Sequence, residues 1–120
     1  MTILLVTKDL FFVPTLRSAA AKLEVEVAVA LSIDSAKLDA LHAPDVRVWV
    51  IDLSSVTIAD LPAIVASFRL RFPQAQGVAF GPHVQEQRLQ AARAAGCQHV
   101  LTRGQFDSQL DRLLPTWIAT

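Results

Sequence analysis

Val46-Arg47-Val48-Trp49-Val50-Ile51, followed by Asp52-Leu53, is a β-branched and aromatic run that is mostly apolar on both alternating faces. A strand with one wet side alternates apolar with polar; a run apolar on both sides belongs to a strand covered by helices front and back. Outward from residues 46–51, similar short runs stand at 3–6, 25–30, 77–80 and 99–101. Between them the apolar spacing turns helical. Phe12, Leu16, Ala19, Ala20 and Leu23 share one face, as do Leu61, Ile64, Val65, Phe68 and Phe72, and again Leu110, Leu113, Leu114, Trp117 and Ile118. Asp60 is placed to cap the third helix with Pro62 in its first turn. Gly96 after residues 91–95 reads as a helix stop, and Pro115 should kink or end the last helix. The pattern for a second helix, around residues 35–42, is the faintest.

Five strands alternating with five helices predict an α/β fold: a five-stranded parallel sheet, doubly wound, with right-handed crossovers and helices on both faces. In such sheets the functional crevice lies beyond the carboxyl ends of the strands. The residues there are Thr7-Lys8-Asp9, Asp52-Leu53-Ser54, Gly81-Pro82-His83 and Thr102-Arg103-Gly104.

Length and composition fit this. The 120 residues suit one domain, 1–120, with 52% hydrophobic and 18% charged residues, which excludes a disordered chain. Eleven basic and eleven acidic side chains cancel, so no phosphate-neutralising surface is available and nucleic acid is not an expected partner. Residues 1–65 carry five basic and eight acidic side chains and the remainder six and three, a tilt too mild to name a partner. Cys97 is the single cysteine, which excludes an intrachain disulfide or a cysteine metal cluster and points to a reducing, cytoplasmic setting. The apolar run at residues 3–6 ends at Lys8 and Asp9, too short for a signal core or a membrane span. No two histidines among His42, His83 and His99 show metal-ligand spacing. Of the neighbours Phe11 and Phe12, helical geometry sends only one into the core, the other toward the crevice edge.

The opening Ile3-Leu4-Leu5-Val6, the run Val48-Trp49-Val50-Ile51-Asp52-Leu53 and the segment Ala95-Gly96-Cys97-Gln98-His99-Val100-Leu101-Thr102-Arg103-Gly104-Gln105-Phe106 carry a family likeness. Over essentially its whole length the chain resembles a two-component response regulator receiver domain, which implies the flavodoxin-like (βα)5 fold. Receivers accept a phosphoryl group on an aspartate after the third strand, and Asp52 matches that position. The family's Mg²⁺ requires an acidic pair after the first strand, because the ion takes oxygen ligands in octahedral geometry. Here the matching positions are Thr7 and Lys8, with Asp9 one step on. An ammonium cannot ligate Mg²⁺. If Lys8 points inward it pairs with Asp52 and replaces the metal as counter-charge; otherwise it faces water.

Other landmarks also differ. Gly81 stands where the family has a switch hydroxyl, Val100 replaces the aromatic switch partner, and Gly104 replaces a cis-forming proline. Arg103 keeps the charge of the phosphate-contacting lysine on a longer, planar fork. The resemblance therefore implies a pseudo-receiver: a non-enzymatic signalling module without a cofactor, acting on a protein partner or on itself. Its expected face is the fourth helix, fifth strand and fifth helix, with Glu86, Gln87, Gln90, Arg93, Asp107, Asp111 and Arg112 exposed. No output domain follows the last helix, so the effect is expected through a partner.

Two alternatives stand beside this reading. In one, Asp52 takes phosphate from a histidine kinase, with Mg²⁺ held through Asp9 and Asp52. In the other, the crevice of Thr7, Lys8, Asp9, Asp52, Gly81, His83, Thr102 and Arg103 binds a small ligand. Against a nucleotide, no Gly-x-Gly-x-x-Gly follows the first strand.

Overall fold

The computed structural model describes residues 1–119. Five strands run parallel in one sheet: β1 Thr2–Val6, β2 Glu26–Ala30, β3 Val46–Asp52, β4 Gln76–Gly81 and β5 His99–Thr102. Their order is β2-β1-β3-β4-β5, the flavodoxin-like doubly wound arrangement. Helices α1 Val13–Ala21 and α4 Arg103–Ala119 cover one face; α2 Leu61–Arg71 and α3 Glu86–Ala95 cover the other.

The central strand shows why its sequence is apolar throughout. Val48 and Val50 enter the α1–α4 core, whereas Trp49 and Ile51 enter the α2–α3 core. A register shift between Thr2 and Ile3 in the β1–β3 pairing lets Val46 join the same side as Trp49 despite odd spacing. Trp49 lies fully buried against Phe68, with ring centroids 5.5 Å apart. A Cβ on Gly77 of the neighbouring strand would fall inside the Trp49 indole, so glycine is what leaves room for it. On the opposite face Phe12, Phe80 and Phe106 form a connected ring cluster, and Phe80 stacks on Phe106 at 4.3 Å.

Three expectations are corrected. No α-helix forms at residues 35–42; two single 3₁₀ turns, Ala36–Leu38 and Ala43–Asp45, make the connection instead. The sequence offers this stretch only Leu38 as a fully buried anchor, so no apolar stripe exists to hold a longer helix on the sheet. Pro115 does not end α4, which continues to Ala119 because Leu114 and Trp117 on either side are buried in the core. Asp60 occupies the N-cap position of α2, but its carboxylate accepts from the Thr57 hydroxyl at 2.6 Å and makes no capping bond to the helix. Gly96 does end α3, at φ 108°, in the left-handed region that favours glycine. Among the described residues no helix is long and apolar enough to cross a membrane.

Candidate functional site

Asp52 ends β3, next to β1 in the middle of the sheet, and its side chain is fully buried. A buried carboxylate is stable only when its oxygens are hydrogen-bonded. Oδ1 accepts from the Ser54 backbone N–H at 3.0 Å, which makes Asp52 the cap of the 3₁₀ turn Leu53–Ser55. Oδ2 accepts from the Thr7 hydroxyl at 2.8 Å and from the Ser55 hydroxyl at 3.2 Å. Each hydroxyl is itself held by the first loop. The Lys8 N–H donates to Ser55 Oγ at 2.9 Å, and the Asp9 N–H to Thr7 Oγ1 at 3.0 Å. Two backbone amides after β1 thus reach Asp52 through two hydroxyls. The loops after β1 and β3 are stitched together around one carboxylate.

Lys8 takes part only through its backbone. Its side chain is exposed and no ion pair joins it to Asp52, so the counter-charge arrangement does not form. The buried place beside Asp52 belongs to Thr7, which is 1% exposed and bonds it, while Lys8 follows in a bend and faces out. Asp9 is also turned away from Asp52. Its Oδ1 caps the turn Leu10–Phe12 by accepting from the Phe11 N–H at 3.0 Å. Its Oδ2 lies 3.8 Å from Arg103 Nη2, and the Arg103 guanidinium covers the Phe12 ring at 5.6 Å. As the sequence implied for this pair, Phe12 is buried and Phe11 is 71% exposed.

At the β4 end Gly81 is buried under Leu53. A Cβ on Gly81 would stand 3.3 Å from Leu53 Cβ and 3.4 Å from its Cδ1. A side chain at this position would press on Leu53, which would have to give by a few tenths of an ångström. His83 is exposed on the turn that follows. At the β5 end, Thr102 forms a reciprocal capping box with Gln105: each backbone N–H donates to the other's side-chain oxygen, at 2.9 and 3.1 Å. Thr102 starts α4 with that hydroxyl and does not offer it to the crevice.

The residues that resemble a Mg²⁺ site do not fit the ion. The two positions that would supply carboxylates carry a hydroxyl already bonded to Asp52 and an ammonium turned outward. Asp9 is directed to Arg103 and Phe11, and among the described residues no group of three or more His, Cys, Asp or Glu is placed to hold a metal.

Arg88 is the residue that sequence reading missed. It lies in the first turn of α3, and its Nη1 donates to the carbonyls of Leu53 and Val56, both at 2.9 Å. It clamps the loop that carries Ser54 and Ser55. Nothing in its local sequence separates it from an ordinary surface arginine, since both acceptors are backbone atoms more than thirty positions away. Ser55 was legible in principle, because Asp-x-x-Ser after a strand is a turn-forming pattern.

The face of α3, β5 and α4, which takes the place of the expected fourth helix, fifth strand and fifth helix, keeps Glu86, Gln87, Gln90, Arg93 and Arg112 exposed. Asp107 and Asp111 are exposed too, but they turn toward α1: Asp111 pairs with Lys22 at 3.2 Å and Asp107 lines the groove beside Pro14 and Ser18. Cys97 is buried away from the crevice, where desolvation pushes its thiol up to about 11 against a smaller opposing effect of Arg69. That leaves it without thiolate reactivity at neutral pH.

No protein-family model matches the chain, and no curated protein matches it. Solved structures do. A response regulator from Thermotoga maritima superposes with a TM-score of 0.79 at 13% identity, covering 99% of this chain and 98% of that one. A CheY-like protein (tadZ) from Pseudomonas aeruginosa gives 0.74 at 23% identity, covering 98% of each. A pilus assembly-related protein from Burkholderia pseudomallei gives 0.73 at 20% identity, covering 99% of this chain and 90% of that one. The chain has the fold of response regulator receiver domains.

Proposed function

We propose that the chain is a pseudo-receiver, a non-enzymatic module that acts by binding a protein partner or a second copy and not by Mg²⁺-dependent phosphorylation. The observation that carries this is the buried Asp52 carboxylate, held by the Thr7 and Ser55 hydroxyls and the Ser54 amide where the family would place a metal ion. Gly81 supports it, since it carries no phosphoryl-sensing hydroxyl and packs closely against Leu53. The face of α3, β5 and α4 supplies the interaction surface in this reading, with Glu86, Gln87, Gln90, Arg93 and Arg112 exposed. A cytoplasmic location goes with it, and no cofactor is required.

A more specific setting is favoured by one observation. The pilus assembly-related protein above shares 20% identity with this chain, against 13% for the response regulator. Pilus assembly is therefore the first setting in which to seek the partner.

Titration with Mg²⁺ followed by amide NMR tests the metal-independent reading. The resonances of Thr7, Lys8, Asp52 and Ser54 are expected to stay in place at millimolar ion. Saturable shifts centred on Asp52 would favour the phosphorylatable alternative.

A further inference from the structure

Helix α3 buries the fewest residues of the four helices. Of its ten residues only Leu89 and Ala92 are buried, whereas α2 buries Leu61, Ile64, Val65 and Phe68. Its two ends are held differently. At the C-terminal end the helix closes on itself: the Gly96 and Cys97 N–H groups donate to the Arg93 and Ala92 carbonyls, both at 3.1 Å. The first turn has no such closure, because Gln85 stands at the N-cap without a side-chain hydrogen bond. Among the described residues, the hydrogen bonds from this turn to another element are those of Arg88 to the Leu53 and Val56 carbonyls, both at 2.9 Å.

Those two carbonyls bracket the turn Leu53–Ser55, the same turn that Asp52 caps through the Ser54 N–H at 3.0 Å. One piece of backbone is therefore gripped from two sides, by the carboxylate at the end of β3 and by the guanidinium on α3. We propose that Arg88 is a positioning residue that couples Asp52 to α3, so that the placement of the first turn of α3 is set by the turn that Asp52 holds. The exposed face of the helix follows that placement. Glu86 in the first turn accepts from Gln90 at 3.2 Å and pairs with Arg93 at 3.6 Å, so these side chains travel with it. The coupling is also reachable from solvent. Arg88 lines the larger of two hollows beside α2, of about 420 Å³, together with Lys8, Asp34 and Asp60; the smaller, of about 350 Å³, shares Asp34 and Asp60 with it. The inference deepens the pseudo-receiver reading, on which it rests only for the role of the α3 face in partner binding.

Native-state amide exchange of the whole, unaltered chain at low urea concentrations is the first test. The Ser54 N–H, bonded to Asp52, and the Leu89 N–H, which donates to the Gln85 carbonyl at 3.4 Å, are expected to open together, with opening constants within twofold of each other. Both should open at least tenfold more often than the Val50 amide of the central strand. Arg88→Met keeps a long side chain and removes its donors. It should speed exchange at Ser54 and Leu89 at least tenfold and leave the Ala95 and Gly96 amides unchanged, and Arg88→Lys, which retains a donor, should restore most of the protection. Asp52→Ala should speed Leu89 as well, and adding Arg88→Met to it should change Leu89 less than twofold further, because the tie is already broken. Independent opening of Ser54 and Leu89, or Leu89 exchange unchanged by Asp52→Ala, would overturn the proposal. Should a variant fail to fold, the comparison of Ser54 with Leu89 in the unaltered chain decides alone. A phosphoryl group found on Asp52 would sink the pseudo-receiver reading, whereas the coupling stands or falls on the exchange data.

Discussion

The strand-end crevice and the hollows beside α2 meet at Lys8 and Ser55, yet they treat polar groups in opposite ways. In the crevice most polar side chains found at family landmarks are engaged within the fold, Lys8 being the exception. Asp52 caps a turn, Thr7 bonds Asp52, Thr102 caps α4, and Arg103 lies over Phe12 beside Asp9. In the hollows beside α2, Lys8, Asp34 and Asp60 stay exposed. In the structure Asp52, Thr7 and Thr102 are held by hydrogen bonds within the fold.

The contrast between the two regions depends most heavily on Asp52. If its carboxylate is structural, Asp52→Ala leaves the Ser55 hydroxyl and the Ser54 amide without their acceptor and the Thr7 hydroxyl with only the Asp9 carbonyl, and should lower unfolding stability by about 2 kcal/mol. Urea unfolding checks this; a variant as stable as the parent, or more so, would mean that the carboxylate is a strained functional group.

Restoring the missing hydroxyl has an effect of similar size. Gly81→Thr forces its side chain onto Leu53 and should cost about 2 kcal/mol. Leu53→Ala, costly alone, should absorb much of that penalty, so the double variant is expected about 1 kcal/mol more stable than the two single losses predict. Additive losses would show that Leu53 does not crowd a side chain at Gly81.

Arg88→Ala removes two bonds to loop carbonyls and should cost about 1–2 kcal/mol. Hydrogen exchange should quicken selectively in residues 53–57 and the first turn of α3; uniform quickening would deny the clamp.

The smallest effect concerns His99, whose Nε2–H donates to Gln76 Oε1 at 3.1 Å and whose ring packs on Trp117. Burial lowers its pKa below 6.5 in the folded chain. The unfolded chain therefore binds the proton more readily, so stability is full above about pH 6.5 and falls as pH drops from there through the folded pKa. His99→Gln should flatten that slope relative to the parent in pH-dependent unfolding, and an unchanged slope would assign it to the carboxylates.

The sheet was legible because each strand is a compact apolar run, and the residues at its carboxyl ends were named correctly from topology alone. Gly96 as a helix stop, and the split between Phe11 and Phe12, were legible because each rests on local geometry. What stayed hidden depends on distant atoms. The second connection is anchored by Leu38 with Leu41 and Ala43 packed beside it, and Pro115 is tolerated because Trp117 pins the helix beyond it. The direction of Lys8 was set by Thr7 winning the buried side, a competition between adjacent residues that composition does not record. Arg88 was invisible because it binds carbonyls, which every residue has.

If Asp52 holds two loops together and is not a phosphoacceptor, a reactive phosphodonor should leave it untouched. Incubation with a small-molecule phosphodonor and Mg²⁺, followed by intact-mass measurement, decides the matter. The chain is expected to keep its unmodified mass. A stable adduct of one phosphoryl group, absent from Asp52→Asn, would contradict the structural role.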